Sequence, residues 1–233
     1  FEISTKNHQI IFDAGSGFQN VKFSKQQASF LLLSHFHHDH LQGLPFNPQI
    51  FDQKNEIIIS SDLCNIEIVE KTIQRYFSPP YFPIDVVSLL PNIKFLPFNM
   101  VQEQLDTHFS LSSIKLNHPG GSTGYKLKQE NSSFIFLCDN EFEKDQVKKL
   151  TTFSEQADLL VWDGMFTEKE LTDKKGWGHS SIEQAIDFNT GANCKKMVIT
   201  HHSPHRSDKE LDQIAIELPE LFTLARDGLE IKV

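Results

Sequence analysis

Short apolar runs alternate with polar turns along the chain, and many of the runs end on a residue able to do chemistry. Ile10–Phe12 leads into Asp13-Ala14-Gly15-Ser16-Gly17, a strand meeting a glycine turn. Phe30–Leu33 is continuously apolar and stops at Ser34-His35, as a strand buried on both faces would. Glu56–Ser60 reads as another strand. Leu63, Ile66, Val69, Ile73 and Phe77 recur at helical spacing, and Asp62 is placed to cap a helix running through Phe77. Ser78–Phe98, rich in proline and aromatics, reads as an irregular surface segment.

Phe109–Asn117 alternates as a strand does, and Thr123–Lys128 and Ser133–Leu137 flank Glu130-Asn131-Ser132 as a hairpin. Asp158–Trp162 and Lys196–Thr200 are short strands with a helix near Ser181–Phe188 between them, and a last helix over Asp208–Leu218 is stopped by Pro219. The sequence shows no repeat, linker or low-complexity tract, so residues 1–233 read as a single domain. Meander-like strands with helices between some of them predict an α/β fold of two sheets covered by helices. The first residues already read as a strand, so a first strand is expected to be truncated.

Composition narrows the function classes. With 39% apolar and 23% charged residues the chain is globular, and no apolar run approaches the roughly 20 residues of a spanning helix. The three cysteines, Cys64, Cys138 and Cys194, are odd in number and far apart, so a reducing cytoplasm is the expected compartment. A net charge of −9 argues against a broad nucleic-acid footprint, though not against a local basic groove.

The eleven histidines change the picture because they cluster. His35-Phe36-His37-His38-Asp39-His40 directly follows the apolar run. Period-two alternation puts His35 and His37 on one side, and Asp39 and His40 follow on the turn. Imidazole suits zinc, manganese or iron, and a nearby carboxylate favours a second, harder site. His118, Asp139, Asp163, His201 and His202 each follow a predicted strand. Ligands that converge from several strand ends are how an α/β scaffold builds a metal site.

These residues resemble the metallo-β-lactamase superfamily, whose HxHxDH signature is filled by His35, His37, Asp39 and His40. Asp13-Ala14-Gly15, His118-Pro119-Gly120-Gly121, Cys138-Asp139 and Gly178-His179-Ser180-Ser181 follow the family order. The last third resembles the RNase Z and cyclic phosphodiesterase branch, with Asp163, His179 and Thr200-His201-His202-Ser203 in its places. The resemblance implies a four-layer αββα sandwich of two mixed sheets flanked by helices. It also implies two divalent metal ions, zinc first, with manganese or iron as alternatives. One ion would take His35, His37 and His118, and the other Asp39, His40 and His201, with Asp139 bridging and His202 as the alternative to His201.

Catalysis would then fall to His179, Asp163 and Asp39. The resemblance implies that the ions would supply a hydroxide to attack phosphorus and that His179, oriented by Asp163, would protonate the leaving group. The branch carries His-Glu where this chain has Trp162-Asp163, so a shorter carboxylate has to reach His179. A tRNA-processing member also carries a basic arm between the lone His and the lone Asp, and here only a tight hairpin fits between His118 and Asp139. The expected substrate is therefore a small phosphodiester, such as a cyclic nucleotide or cyclic phosphate, rather than tRNA. Aromatics at Tyr76–Pro83 and in the Leu41–Phe46 loop could stack a base or form a local hydrophobic cluster, and Gly120–Thr123 could approach a phosphate or only make the turn after His118. Alternatives are a hydrolase of carboxylic esters, thioesters or lactones, an RNA-processing nuclease, and a non-catalytic metal-binding sensory module. A homodimer is compatible with the resemblance, and no membrane partner is expected.

Overall fold

The apolar runs become two mixed sheets in the computed structural model, which describes residues 1–24, 27–105 and 108–233. The chain divides into two compact units, Phe1–Gln104 and Leu105–Val233.

In the first unit the sheet order is β1-β2-β3-β4-β5. β1 (Glu2–Ser4) pairs antiparallel with β2 (Gln9–Phe12). β2, β3 (Ser29–Leu32), β4 (Ile57–Ser60) and β5 (Ile93–Phe95) then run parallel. Every residue of β2, β3 and β4 is buried, as continuous apolar runs in a parallel sheet require. The one-turn helix α1 (His38–Leu41) carries Asp39 and His40 directly after His35 and His37, and α2 (Ile66–Tyr76) and α3 (Phe98–Leu105) come later. Val69 and Ile73 of α2 pack into one core with Ile11, Leu31, Ile57 and Ile59.

Two expectations need correction here. Asp62 does not cap α2; Asn65 holds the N-cap position. Ser61 Oγ donates to the Leu33 carbonyl at 2.8 Å and accepts the Leu63 amide at 3.1 Å, and the resulting turn delays the helix. The segment Ser78–Phe98 is not wholly irregular either, since β5 lies within it and Ile93 is buried in the core.

In the second unit the order is β11-β10-β9-β8-β7-β6. β6 (Ser110–Leu116), β7 (Ser122–Gln129) and β8 (Ser132–Leu137) form an antiparallel meander. β8, β9 (Leu159–Asp163), β10 (Met197–Thr200) and β11 (Phe222–Leu224) are parallel. The helices are α4 (Val147–Ser154), α5 (Glu168–Leu171), α6 (Ile182–Ala192) and α7 (Asp208–Glu217). Leu150, Ile182, Ala185 and Phe188 share a core with Ile135, Leu160 and Ile199. Capping boxes Ser181/Gln184 and Ser207/Glu210 fix the starts of α6 and α7.

Strand direction places the chemistry. Because β6 and β8 are both antiparallel to β7, they run the same way as β9 and β10. His118, Asp139, Asp163 and His201 therefore all leave the second sheet at one edge, and Asp13 and His35 likewise follow the parallel β2 and β3 of the first. Open α/β sheets place ligands at the carboxyl ends of their strands. No helix among the described residues is long and apolar enough to cross a membrane.

Candidate active site

The first unit contributes a histidine cluster held by Asp13. The rings of His35 and His37 lie 4.5 Å apart, and those of His35 and His40 4.2 Å apart. His40 Nε2 is 3.3 Å from Asp39 Oδ2. Asp13 accepts the Ser34 amide at 2.7 Å on Oδ1; its Oδ2 accepts the Ser34 hydroxyl at 2.7 Å and faces His40 Nδ1 at 2.8 Å. His35 and His40 are buried, whereas His37, His38 and Asp39 are exposed. His38 pairs with the Tyr76 hydroxyl, and Tyr76, Phe77 and Phe82 join the local core, while Phe46 and Tyr81 stay exposed.

The second unit gathers His118, Asp139, His179 and His201. Asp139 turns one oxygen toward each of two histidines: Oδ2 lies 3.6 Å from His118 Nε2, and Oδ1 lies 3.4 Å from His201 Nε2. Asp139, His179 and His201 each offer an atom within 4.8 Å of the others. The His179 and His201 rings stack with centroids 4.9 Å apart. His202 turns elsewhere and donates from Nε2 to the Ala225 carbonyl at 3.3 Å, and burial pushes its pKa down. The two adjacent histidines, alternatives in the sequence, thus face different groups, His201 the Asp139 carboxylate and His202 the Ala225 carbonyl.

Hydrogen bonds decide whether these histidines suit a divalent ion. The Gly178 carbonyl, an acceptor only, faces His118 Nδ1 at 2.8 Å, so that nitrogen carries the proton. His40 Nδ1 faces the Asp13 carboxylate in the same way. Ser34 spends its one hydroxyl proton on Asp13, so its oxygen accepts from His35 Nδ1 at 3.0 Å. In the neutral form of all three rings the lone pair then falls to Nε2. Metal-bound histidines are oriented by such acceptors on the far nitrogen, so the donor set fits a divalent ion.

Asp163 reaches His179 despite its shorter side chain. Its Oδ2 lies 2.9 Å from His179 Nδ1 and accepts the Asn140 amide at 3.1 Å, and Oδ1 accepts the Met165 amide at 3.2 Å. Both side chains are buried, so the couple leaves Nε2 as the nitrogen able to exchange a proton with a ligand. Gly120 and Gly121 have positive φ and form the turn after His118, with the Gly121 amide donating to the His118 carbonyl at 2.8 Å.

Left-handed backbone occurs at three of the site positions, as it does at Glu130, Gln156 and Asn193 elsewhere. Asp13, Asp139 and His201 have φ of 60°, 56° and 57°, a left-handed region that costs a non-glycine residue about 1–3 kcal/mol. Sequence reading missed the supporting residues Ser34, Asn140 and Glu141, because polar residues in loops carry no periodicity.

The sequence model of the beta-lactamase superfamily domain matches residues 8–202. Ribonuclease Z of Thermococcus sibiricus is 22% identical over 261 aligned positions, covering 94% of this chain and 85% of that protein. The crystal structure of the short form of human tRNase Z aligns with TM-score 0.67 at 20% identity, over 99% of this chain and 90% of that one. A diphosphatase of the PhnP family aligns with TM-score 0.66 at 15% identity, over 100% and 83%. At these identities the two solved structures speak for a shared fold.

Proposed function

The chain belongs to the beta-lactamase superfamily, whose members are metal-dependent hydrolases, and from that premise we propose that it is a binuclear phosphodiesterase acting on a small substrate such as a cyclic nucleotide or cyclic phosphate. The observation that carries the reading is the His179–Asp163 couple, with 2.9 Å between Nδ1 and Oδ2. An alkoxide leaving a phosphoryl group needs a proton as the P–O bond breaks. Asp163 holds the Nδ1 proton and the ring orientation, so Nε2 of the imidazolium delivers the proton and is left neutral. Asn140 and Met165 fix Asp163 through their amides, so the couple needs little rearrangement during turnover.

In this proposal His35, His37 and His118 would hold one ion, Asp39, His40 and His201 would hold the other, and Asp139 would serve both. Two bound divalent ions would lower the pKa of a water and offset charge on the phosphoryl oxygens. Zinc is the preferred ion. The −9 chain suits a small anion rather than a long polyanion, because bound ions would make the site itself locally positive on an otherwise acidic chain. Between His118 and Asp139 the chain is consumed by the Gly120-Gly121 turn, β7, the Glu130-Asn131 turn and β8, which leaves no length for a tRNA-gripping arm. The alignment with Ribonuclease Z is longer than this chain, as expected if that relative carries segments missing here.

The Ribonuclease Z relatives favour a second reading, an RNA-processing nuclease. Purified protein, with its metal content measured, is assayed on bis-p-nitrophenyl phosphate, cyclic nucleotides, precursor tRNA, nitrocefin and a thioester. Turnover of the first two is expected. Endonucleolytic cleavage of precursor tRNA without cyclic-nucleotide hydrolysis supports the second reading. Activity confined to nitrocefin or the thioester overturns both.

A further inference from the structure

Three consecutive residues after β8 address three different parts of the second unit. Asp139 faces His118 and His201, and the Asn140 amide holds Asp163. Glu141, itself buried, reaches into the loop before His179. The Gly176 amide donates to both its carboxylate oxygens at 2.9 Å, and the Gly178 amide donates to Oε2 at 2.8 Å. The Glu141 main chain is fixed as well: its amide donates to the Asn117 carbonyl at 2.7 Å, next to His118.

Gly178 is the hinge of the arrangement. Its carbonyl accepts from His118 Nδ1 at 2.8 Å, its amide is held by Glu141, and the next residue is His179. Its φ of 87° and its lack of a Cβ are both required, because a Cβ there would lie 2.3 Å from His118 Nδ1 and 2.3 Å from Pro119 Cδ. The peptide that carries the proton donor thus also orients a metal-ligand candidate, and one carboxylate tethers it.

We propose that Glu141 is the positioning residue of this site, its carboxylate fixing the 176–178 loop so that His179 faces the leaving group and the Gly178 carbonyl faces His118. The catalytic consequence rests on the phosphodiesterase reading; the tether does not. A leucine would leave two amides without their acceptor. A glutamine keeps one oxygen for the Oε2 place, gives up the charge, and turns an N–H donor toward the Gly176 amide where Oε1 stood, so it loosens the tether.

The test compares wild type, Glu141→Gln, His179→Ala and the double variant, each loaded with zinc, on methyl p-nitrophenyl phosphate and methyl phenyl phosphate. p-Nitrophenolate departs with little need of a proton, whereas phenolate gains more from one. Glu141→Gln should keep its zinc and lose about tenfold or more extra rate on the phenyl ester, within the 10–100-fold typical of outer-shell losses. Adding His179→Ala should then cost little further. Equal losses on both esters, or losses that combine fully, overturn the proposal.

A second readout does not depend on turnover. The His179 Nδ1–H bonded to Asp163 should give a downfield proton resonance in wild type that broadens or vanishes in Glu141→Gln, with faster exchange of the Gly178 amide. Both unchanged would refute the tether. If wild type hydrolyses neither ester, the phosphodiesterase reading fails while the resonance still decides the role of Glu141. Should Glu141→Gln not fold, Glu141→Asp keeps the acceptor but shortens its reach, and the same shifts are expected at smaller size.

Discussion

Asp13 Oδ2 lies 2.8 Å from His40 Nδ1, and the same oxygen takes the Ser34 hydroxyl that in turn accepts from His35. One carboxylate therefore sets the tautomer of two candidate ligands. Asp13→Asn, which tolerates the left-handed backbone, is expected to weaken metal binding by about 10–100-fold. Competition with a chelator of known affinity measures it; unchanged affinity would remove Asp13 from the metal site.

His179→Ala and Asp163→Asn should retain the metal yet lose about 10²–10⁴-fold in turnover of a poor leaving group. Metal analysis run beside the kinetics separates the roles. A fall in metal content parallel to activity would make His179 a ligand instead of the donor.

His201 and His202 are expected to behave oppositely. His201→Asn keeps a residue suited to φ of 57° while removing the imidazole beside Asp139, and metal content should fall. His202→Ala loses a hydrogen bond to the Ala225 carbonyl and should keep the metal. The reverse pattern would reassign the ligand.

Gly178→Ala places a Cβ against His118 and Pro119 at positive φ. It is expected to destabilise the fold by about 1–3 kcal/mol or more and to impair metal binding. Urea melts and metal titration test it together, and wild-type values in both would show that the loop can shift freely.

Burial pushes the Cys194 thiol up from 9.0 to about 11. The folded chain then holds this proton to higher pH than the unfolded chain does. The associated stability is complete below pH 9 and is lost as pH climbs toward 11. Cys194→Ala should flatten that loss in urea melts at pH 8 and pH 10.5 (conditions chosen to bracket about 9–10). Parallel losses in wild type and variant would place the alkaline sensitivity elsewhere.

Much of this was legible in the sequence because the central strands are buried on both faces and so read as unbroken apolar runs. Phe30–Leu33 announced β3, and the residues after it announced their chemistry by type. The short strands β5 and β11 are not legible, since three residues carry too little period to register, whereas β1 is anticipated by the strand-like first residues. The sequence places the helix start at Asp62, ahead of Asn65, because a capping residue in sequence is not yet a cap; Ser61 competes for the turn. The contacts of His201 and His202 differ only through the backbone turn at the end of β10, which identity alone does not encode.

The left-handed backbone at Asp13, Asp139 and His201 has a consequence for how such a site can change. Glycine, asparagine, aspartate and histidine tolerate that conformation, while cysteine and glutamate pay for it. A soft thiolate at position 139 or 201, the simplest way to bias a centre toward other metals, would be opposed by the main chain before any metal is offered. The ligand alphabet at these positions is set by peptide sterics as well as by coordination chemistry. Drift through asparagine or glycine is the path of least backbone resistance, and it empties the position of its ligand instead of replacing it.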